Sequence, residues 1–335
     1  MKTIAFFEIE KKEADYLKKK FKGQDVNLLF FKEPLQDCPV KEYKDADILS
    51  PFIYSTLDEK KLAACKKLKA VSTRSTGFDH IDQTYCKKKS VQVANVPSYG
   101  ENTVAEHTFA LLLNLSRHVH KSYIRTLQEN YNIKDLVGFD LEGKTLGVFG
   151  TGKIGMHVIK IAKGFGMHVK AFDVRHDMFL SRLLHFDYCS VEDIIKNSDV
   201  ISLHMPLNSH TYHFLDEEKL KMTKKGVVII NTSRGGLIET KALYNLLKSG
   251  HIAGAGLDVI EGEELIKNEE ELLGKNLTQE QMQDVFRDKS LLLMENVIFT
   301  PHNAFNSQEA IERILDTTVQ NIQAFLESGQ ISNRV

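Results

Sequence analysis

Short apolar runs alternate with charged, helically spaced stretches along almost the whole chain. Residues 3–9 are apolar and β-favouring, 10–21 are charged with helical spacing, and 26–31 form a second apolar run. Further short runs lie at 46–50, 70–72 and 91–96, with helical candidates between them such as 57–68. This alternation predicts βαβ units and a parallel sheet. A long apolar-faced helix is predicted from Asn102, with Thr103 as cap and Glu106 as its capping-box partner. It follows Pro97 and Gly100 and suits a crossover between two domains. The alternation restarts at Lys144 with runs at 146–149, 168–172, 200–203, 227–230, 252–257 and 297–300. Near-continuous Val, Ile and Leu in such runs is what a sheet buried on both faces requires. The stretch 261–290 is long and acidic, and predicts short surface helices.

Ligands of open α/β sheets bind beyond the carboxyl ends of the strands, so the residues after each run carry the chemistry. After the first run of the second half stands Gly150-Thr151-Gly152-Lys153-Ile154-Gly155, a GxGxxG. Its glycines allow a tight turn, close approach of a pyrophosphate and close helix packing, and the helix start offers free N–H groups to phosphate. Asp173 ends the next run, 18 positions after Gly155, where an acid would hold ribose hydroxyls. Its charge favours NAD over NADP, and Arg175 two residues on weighs the other way. His204 and Pro206 follow the third run, Thr232, Ser233 and Arg234 the fourth, Asp258 and Glu263 the fifth, and His302 the sixth. An Arg can pair with a carboxylate, a His can give a proton to a carbonyl oxygen, and an acid can hold that His protonated. Taken singly, each has an ordinary structural reading. Their shared topological position raises them together.

Composition narrows the field. With 335 residues, two domains are expected, and 42% hydrophobic with 27% charged residues excludes a mainly disordered chain. The 44 Lys and Arg against 45 Asp and Glu argue against a nucleic-acid binder. Lysine clusters at 18–20 and 87–89 read as solvated faces. No apolar stretch has the ~18 residues of a membrane helix, and the short apolar start turns acidic at Glu8, unlike a signal peptide. The cysteines Cys38, Cys65, Cys86 and Cys189 form no CxxC pair, which predicts reduced thiols in a cytoplasmic protein without a metal site.

Six stretches carry a family pattern: 74–82 (RSTGFDHID), 96–107 (VPSYGENTVAEH), 147–155, 231–236 (NTSRGG), 256–259 (GLDV) and 300–304 (TPHNA). Through them the chain resembles the D-isomer-specific 2-hydroxyacid dehydrogenases along essentially its whole length. It is most similar to the D-lactate dehydrogenase branch, through the long segment after Glu263, the acid at Glu263 itself, and the aromatics Phe52, Tyr99 and Phe305.

The resemblance implies two flavodoxin- or Rossmann-like parallel-sheet α/β domains, the first discontinuous, with the active-site cleft between them. Residues 1–101 and 302–335 would form the substrate domain and 102–301 the NAD-binding domain. Arg234 would bind the substrate carboxylate, and His302 would be the acid/base, paired with Glu263. The backbone of Ser75, Thr76 and Gly77 would hold the carboxylate, Tyr99 would position the substrate, and Phe52, Tyr99 and Phe305 would surround its side chain. Cofactor contacts fall to Val104, Gly150, Thr151, Gly152, Lys153, Ile154, Gly155, Asp173, His204, Pro206, Thr232, Ser233 and Asp258, with Val104 behind the nicotinamide and Asp258 on its carboxamide. The implied reaction is NAD-dependent reduction of a small 2-keto acid, pyruvate foremost, by a homodimer. A different D-2-hydroxy acid remains open, such as glycerate, hydroxyisocaproate or 2-hydroxyglutarate. So does a non-enzymatic NADH-sensing regulator of the same fold.

Overall fold

The structure, a computed structural model, describes residues 1–263 and 279–335. The chain divides into two compact units, 1–99 with 307–335, and 100–306. The boundary lies a few residues from the expected one, so His302 and Phe305 belong to the second unit. The reason is local. The backbone N–H groups of Asn303 and Ala304 are tied to the Asp258 carboxylate, which holds this loop to the second sheet.

In the first unit the strands are β1 (Lys2–Phe6), β2 (Val26–Phe30), β3 (Ile48–Ser50), β4 (Ala70–Ser72) and β5 (Gln92–Ala94). They form a parallel sheet in the order β2-β1-β3-β4-β5. Ala5, Leu49 and Val71 face one apolar layer with Tyr43, Leu62 and Cys86. Ile4, Ile48 and Ala70 face the other, formed with Leu17 and the C-terminal helix residues Leu315, Val319 and Ile322. That alternation is the period-two consequence of strand geometry. The helix Lys11–Lys20 starts with a capping box between Glu10 and Glu13 and buries Ala14 and Leu17.

The second unit holds β6 (Thr145–Phe149), β7 (His168–Phe172), β8 (Asp187–Tyr188), β9 (Val200–Leu203), β10 (Val227–Asn231), β11 (Ile252–Leu257) and β12 (Val297–Phe299). Their order is β12-β11-β10-β9-β6-β7-β8, again parallel throughout. Six of these strands coincide with the six apolar runs. The two-residue β8 was too short to show as a run. The long helix is Glu101–Ser116, capped at Gly100 with no side-chain hydrogen bond, so Thr103 lies inside the helix rather than at its cap. Asn102 and Glu106 pair one turn apart on its surface instead. Of the acidic stretch 261–290, residues 264–278 lie outside the described residues; the helix Gln279–Leu292 follows.

The sheet changes direction between β6 and β9, since β7 lies on one side of β6 and β9 on the other. Phe149, the last residue of β6, is fully buried at this point. Its ring meets Phe214 edge-on at 4.9 Å and Phe172 at 6.3 Å. Phe149→Ala should therefore lower the unfolding free energy of this unit by about 3–5 kcal/mol. Urea unfolding followed by circular dichroism checks this, and a loss within the range of ordinary surface substitutions, about 0.5 kcal/mol, would contradict the packing.

Candidate active site

The loop after β6 is shaped by its glycines. Gly150 adopts φ +97°, and a Cβ there would lie 2.2 Å from the carbonyl oxygen of His204. A Cβ on Gly155 would lie 2.0 Å from the Gly150 carbonyl oxygen, so the helix Lys153–Gly164 starts hard against its own loop. Gly152 caps that helix without a side chain, and a Cβ there would meet no atom within 4 Å. Two glycines are thus required by the protein's packing, and the third leaves room in front of a helix N-terminus, as a pyrophosphate requires. The Gly150 and His204 loops meet where the sheet reverses, the position at which doubly wound sheets bind dinucleotides.

Asp173 follows β7 and faces the same loop. Its carboxylate accepts from Thr151 N at 2.6 Å and Arg175 N at 3.0 Å. Burial works to raise its pKa. The N–H donors of Arg175, Thr151 and Val174 and the Thr151 hydroxyl outweigh that and hold it below the usual carboxylate range. The Thr151 and Arg175 N–H groups take two of the about four accepting positions of this carboxylate at these distances. The Thr151 hydroxyl meets Tyr188 Oη at 3.0 Å, a β8 contact the sequence did not reveal. Lys153 is largely exposed and reaches Glu101 at 3.4 Å. Ile154 is half-buried, and Val104 is buried on the long helix. Pro206 caps its loop by accepting from Thr211 Oγ1 at 2.7 Å.

His302 and Glu263 come together: Nδ1 of the imidazole lies 2.8 Å from Glu263 Oε1. Both side chains remain about one-fifth exposed. His302 holds φ +54°, a left-handed conformation uncommon for a residue with a Cβ. It is kept there by its N–H to the Asp258 carbonyl at 2.9 Å and by the next two amides, which donate to the Asp258 carboxylate. Arg234 sits on the neighbouring loop. Asn231 folds this loop, accepting from Ser233 N and donating to the Arg234 carbonyl. A Cβ on Gly235 would lie 2.1 Å from the Ile260 carbonyl carbon, so the Arg234 loop lies against the backbone leading to Glu263. Thr232 Oγ1 meets Thr108 Oγ1 at 3.0 Å, and Ser233 Oγ donates to the Leu203 carbonyl at 2.7 Å.

Asp258 carries more than the sequence suggested. It is 1% exposed, and its carboxylate receives Thr300 Oγ1 at 2.5 Å, Asn303 N at 3.0 Å and Ala304 N at 2.9 Å. One accepting position, on Oδ2, is left over. His107, part of the 96–107 stretch, has Nε2 2.9 Å from Thr300 Oγ1, which accepts from it because the hydroxyl proton goes to Asp258. Burial lowers its pKa, against the pull of Asp258.

In the first unit, the hydroxyls of the 75–77 loop are bonded to main-chain carbonyls, Ser75 buried and Thr76 exposed. Ser75 Oγ donates to the Gly77 carbonyl at 2.6 Å, and Thr76 Oγ1 to the Val96 carbonyl at 2.8 Å. With the hydroxyls so engaged, the backbone is the part suited to an anion. The Tyr99 carbonyl accepts from Arg313 Nε. The thiols Cys38, Cys65 and Cys86 are pushed up to about 11, chiefly by burial, which makes them poor nucleophiles. Among the described residues no cluster of three His, Cys, Asp or Glu could hold a metal, and no helix is long and apolar enough to cross a membrane.

His204 is partly exposed, but its ring nitrogens are covered: Nε2 bonds Ser202 Oγ at 2.7 Å, and Nδ1 is buried without a hydrogen-bond partner. Burial pushes its pKa down to about 3 from an ordinary 6.5. Between those values the unfolded chain binds a proton that the folded chain does not, so stability falls as pH drops below about 6.5. This one group contributes a slope approaching ~1.4 kcal/mol per pH unit. His204→Gln should lose that slope, giving a shallower acid limb in urea midpoints between pH 4.5 and 6.5. Parallel limbs in the two proteins would mean that the ring charges freely.

The chain as a whole is similar to known proteins. The model of the D-isomer specific 2-hydroxyacid dehydrogenase NAD-binding domain matches residues 109–304. The chain is 35% identical to the D-lactate dehydrogenase of Escherichia coli, over 98% of this chain and 97% of that one. It is 34% identical to the glyoxylate reductase of Korarchaeum cryptofilum, over 89% and 85%. The crystal structure of D-lactate dehydrogenase from Aquifex aeolicus, complexed with NAD and lactic acid, superposes with a TM-score of 0.87 at 35% identity, covering 98% of this chain and 99% of that one. Fold, glycine loop and relatives agree: the chain belongs to the D-isomer specific 2-hydroxyacid dehydrogenase family and is an NAD-dependent oxidoreductase.

Proposed function

We propose that this protein reduces a small monocarboxylic 2-keto acid, pyruvate foremost, to the D-2-hydroxy acid. The observation that carries the reading is the 2.8 Å pair between His302 Nδ1 and Glu263 Oε1, on a loop locked into a left-handed turn. Glu263 fixes the proton on Nδ1, which leaves Nε2 as the atom that donates to the keto oxygen. The carboxylate charge stabilises the protonated ring that this donation needs. Arg234 pairs with the substrate carboxylate and polarises the neighbouring keto group. The backbone of Ser75, Thr76 and Gly77 adds N–H donors to the same carboxylate, and Tyr99 orients the acid. Phe52, Tyr99 and Phe305 enclose its side chain.

Bound NADH supplies the hydride. Gly150, Thr151, Gly152, Lys153, Ile154 and Gly155 would hold its pyrophosphate and Asp173 its ribose. His204, Pro206, Thr232 and Ser233 would line the cofactor's path, with Val104 behind the nicotinamide and Asp258 on its carboxamide. Pyruvate is favoured by relatives and neighbours named for D-lactate. A relative named for glyoxylate keeps a second short acid in view.

The partner we propose is a second copy. The helix Val119–Leu127 buries none of its side chains within the chain. Val119, Tyr123, Ile124 and Leu127 on it are each at least half exposed, and Tyr131, Ile133 and Val137 continue the apolar surface. Such a patch on a monomer marks an interface. The compartment proposed is the cytoplasm, in keeping with four unpaired cysteines.

Purified protein should oxidise NADH with pyruvate, prefer NADH to NADPH, and yield D-lactate on chiral chromatography. His302→Gln should cost about 10²–10⁴ in kcat. Racemic or L product, or no activity on any short 2-keto acid, overturns the assignment. Sedimentation at micromolar concentration should show a dimer that Tyr123→Glu with Ile124→Glu dissociates; a wild-type monomer would refute the proposed interface.

A further inference from the structure

The first unit contains a buried polar assembly that the proposed reaction does not use. Arg74, at the end of β4, is 2% exposed and ranks with the fully buried side chains. Its guanidinium donates to three main-chain carbonyls: Ser50 at 2.9 Å, Phe7 at 2.6 Å and Glu8 at 2.9 Å. Its own backbone N–H donates to the Pro51 carbonyl at 3.0 Å. One side chain therefore ties together the ends of β1, β3 and β4. The Phe52 ring lies over the guanidinium, 5.5 Å from its centre, in cation–π range.

Glu8 completes the assembly from the other side. It holds φ +53°, strained for a residue with a Cβ, and its carbonyl is one of those gripped by Arg74. Its carboxylate accepts from Phe52 N at 3.0 Å, from Tyr54 N at 2.8 Å and from the Ser55 hydroxyl. Ser55 is fully buried and its oxygen in turn accepts from Leu35 N at 3.0 Å. The 52–55 loop, which has little regular structure of its own, thus has two of its N–H groups and one hydroxyl fixed by one acid. A fold that only needed to close this turn could do so with backbone carbonyls. A charged acceptor gripping three donors, backed by an enclosed cation beneath the Phe52 ring, fixes where that ring stands.

We propose that Glu8, backed by Arg74, is a positioning residue that sets substrate size by fixing Phe52. This rests on the reading that Phe52 borders the keto-acid side chain. Glu8→Gln keeps the shape but gives up one acceptor oxygen and the charge, so the loop loosens and the ring gives way to larger side chains.

The test is a cycle of wild type, Glu8→Gln, Phe52→Ala and the double variant, with kcat and KM for pyruvate and 2-oxo-4-methylpentanoate. Amide hydrogen exchange of residues 52–55 is followed alongside. In Glu8→Gln the preference for pyruvate should narrow about threefold or more, through KM with kcat largely kept. In the Phe52→Ala background the same change should have no further effect on the preference. Exchange at Phe52 and Tyr54 should quicken about tenfold, as expected when a local hold is lost. Equal losses on both acids, a change confined to kcat, or an undiminished effect without Phe52 would overturn the proposal. So would unchanged exchange at 52–55, which decides against Glu8 even if the wild type reduces no keto acid. Wild-type inactivity on every keto acid, with exchange quickened as expected, would instead sink the proposed function and, with it, the link from Glu8 to substrate size.

Discussion

Two loops at the carboxyl edge of the larger sheet, those after β10 and β12, hang on Asp258. Its side chain holds Thr300, Asn303 and Ala304, its carbonyl takes the His302 N–H, and its own N–H reaches the Asn231 carbonyl. Asn231 in turn shapes the loop of Arg234. A charge buried to 1% exposure is costly unless its accepting positions are filled, and here nearly all are. The cost of enclosing that charge is offset by donors that are the loop itself. Losing any of them would leave the acid underpaired, so the loop is not free to wander. That makes the left-handed turn at His302 tolerable: the surroundings over-determine it.

The same logic runs through the glycine loop, with sterics in place of charge. Contacts of 2.0 and 2.2 Å from hypothetical Cβ atoms at Gly155 and Gly150 mean that no side chain could be admitted without moving backbone. The loop is therefore placed by close packing against the His204 turn before any ligand arrives. Asp173 then joins that loop by accepting the Thr151 N–H. A carboxylate already bonded to the glycine loop is held in one place beside it, as the proposed ribose contact would need.

Much of this was legible in the sequence because its causes are local. The apolar runs become strands since a sheet covered on both faces needs them continuous, as in the fully buried β10. The GxGxxG and Asp173 are readable because their spacing reflects one βαβ unit. Glu263 and His302 were grouped by their shared place after successive strands, but their pairing came only from the family resemblance, since 39 residues separate them and nothing local says they meet. The start of the long helix was misplaced because Thr103 offers a cap in sequence, whereas the chain enters the helix at Gly100. Strand β8 escaped notice because two residues carry no period. The grip of Arg74 on Phe7, Glu8 and Ser50 spans 24–67 positions and is made to carbonyls, which leave no trace in side-chain patterns.

Reaction type and substrate size thus depend on different parts of this chain. The groups that would move a proton stand at strand ends of the second unit, where topology dictates their neighbourhood and a motif can report it. The ring proposed to limit the substrate stands on a short loop of the first unit, held by Glu8 through main-chain donors that any residue but proline at 52 or 54 would supply. Substitution at position 52 would then change the size of the ring without disturbing the hold. Substitution at Glu8 would change the hold without touching the ring. A loop built this way can vary its side chains while keeping its path, which suits a family fold that must keep one chemistry and fit more than one acid.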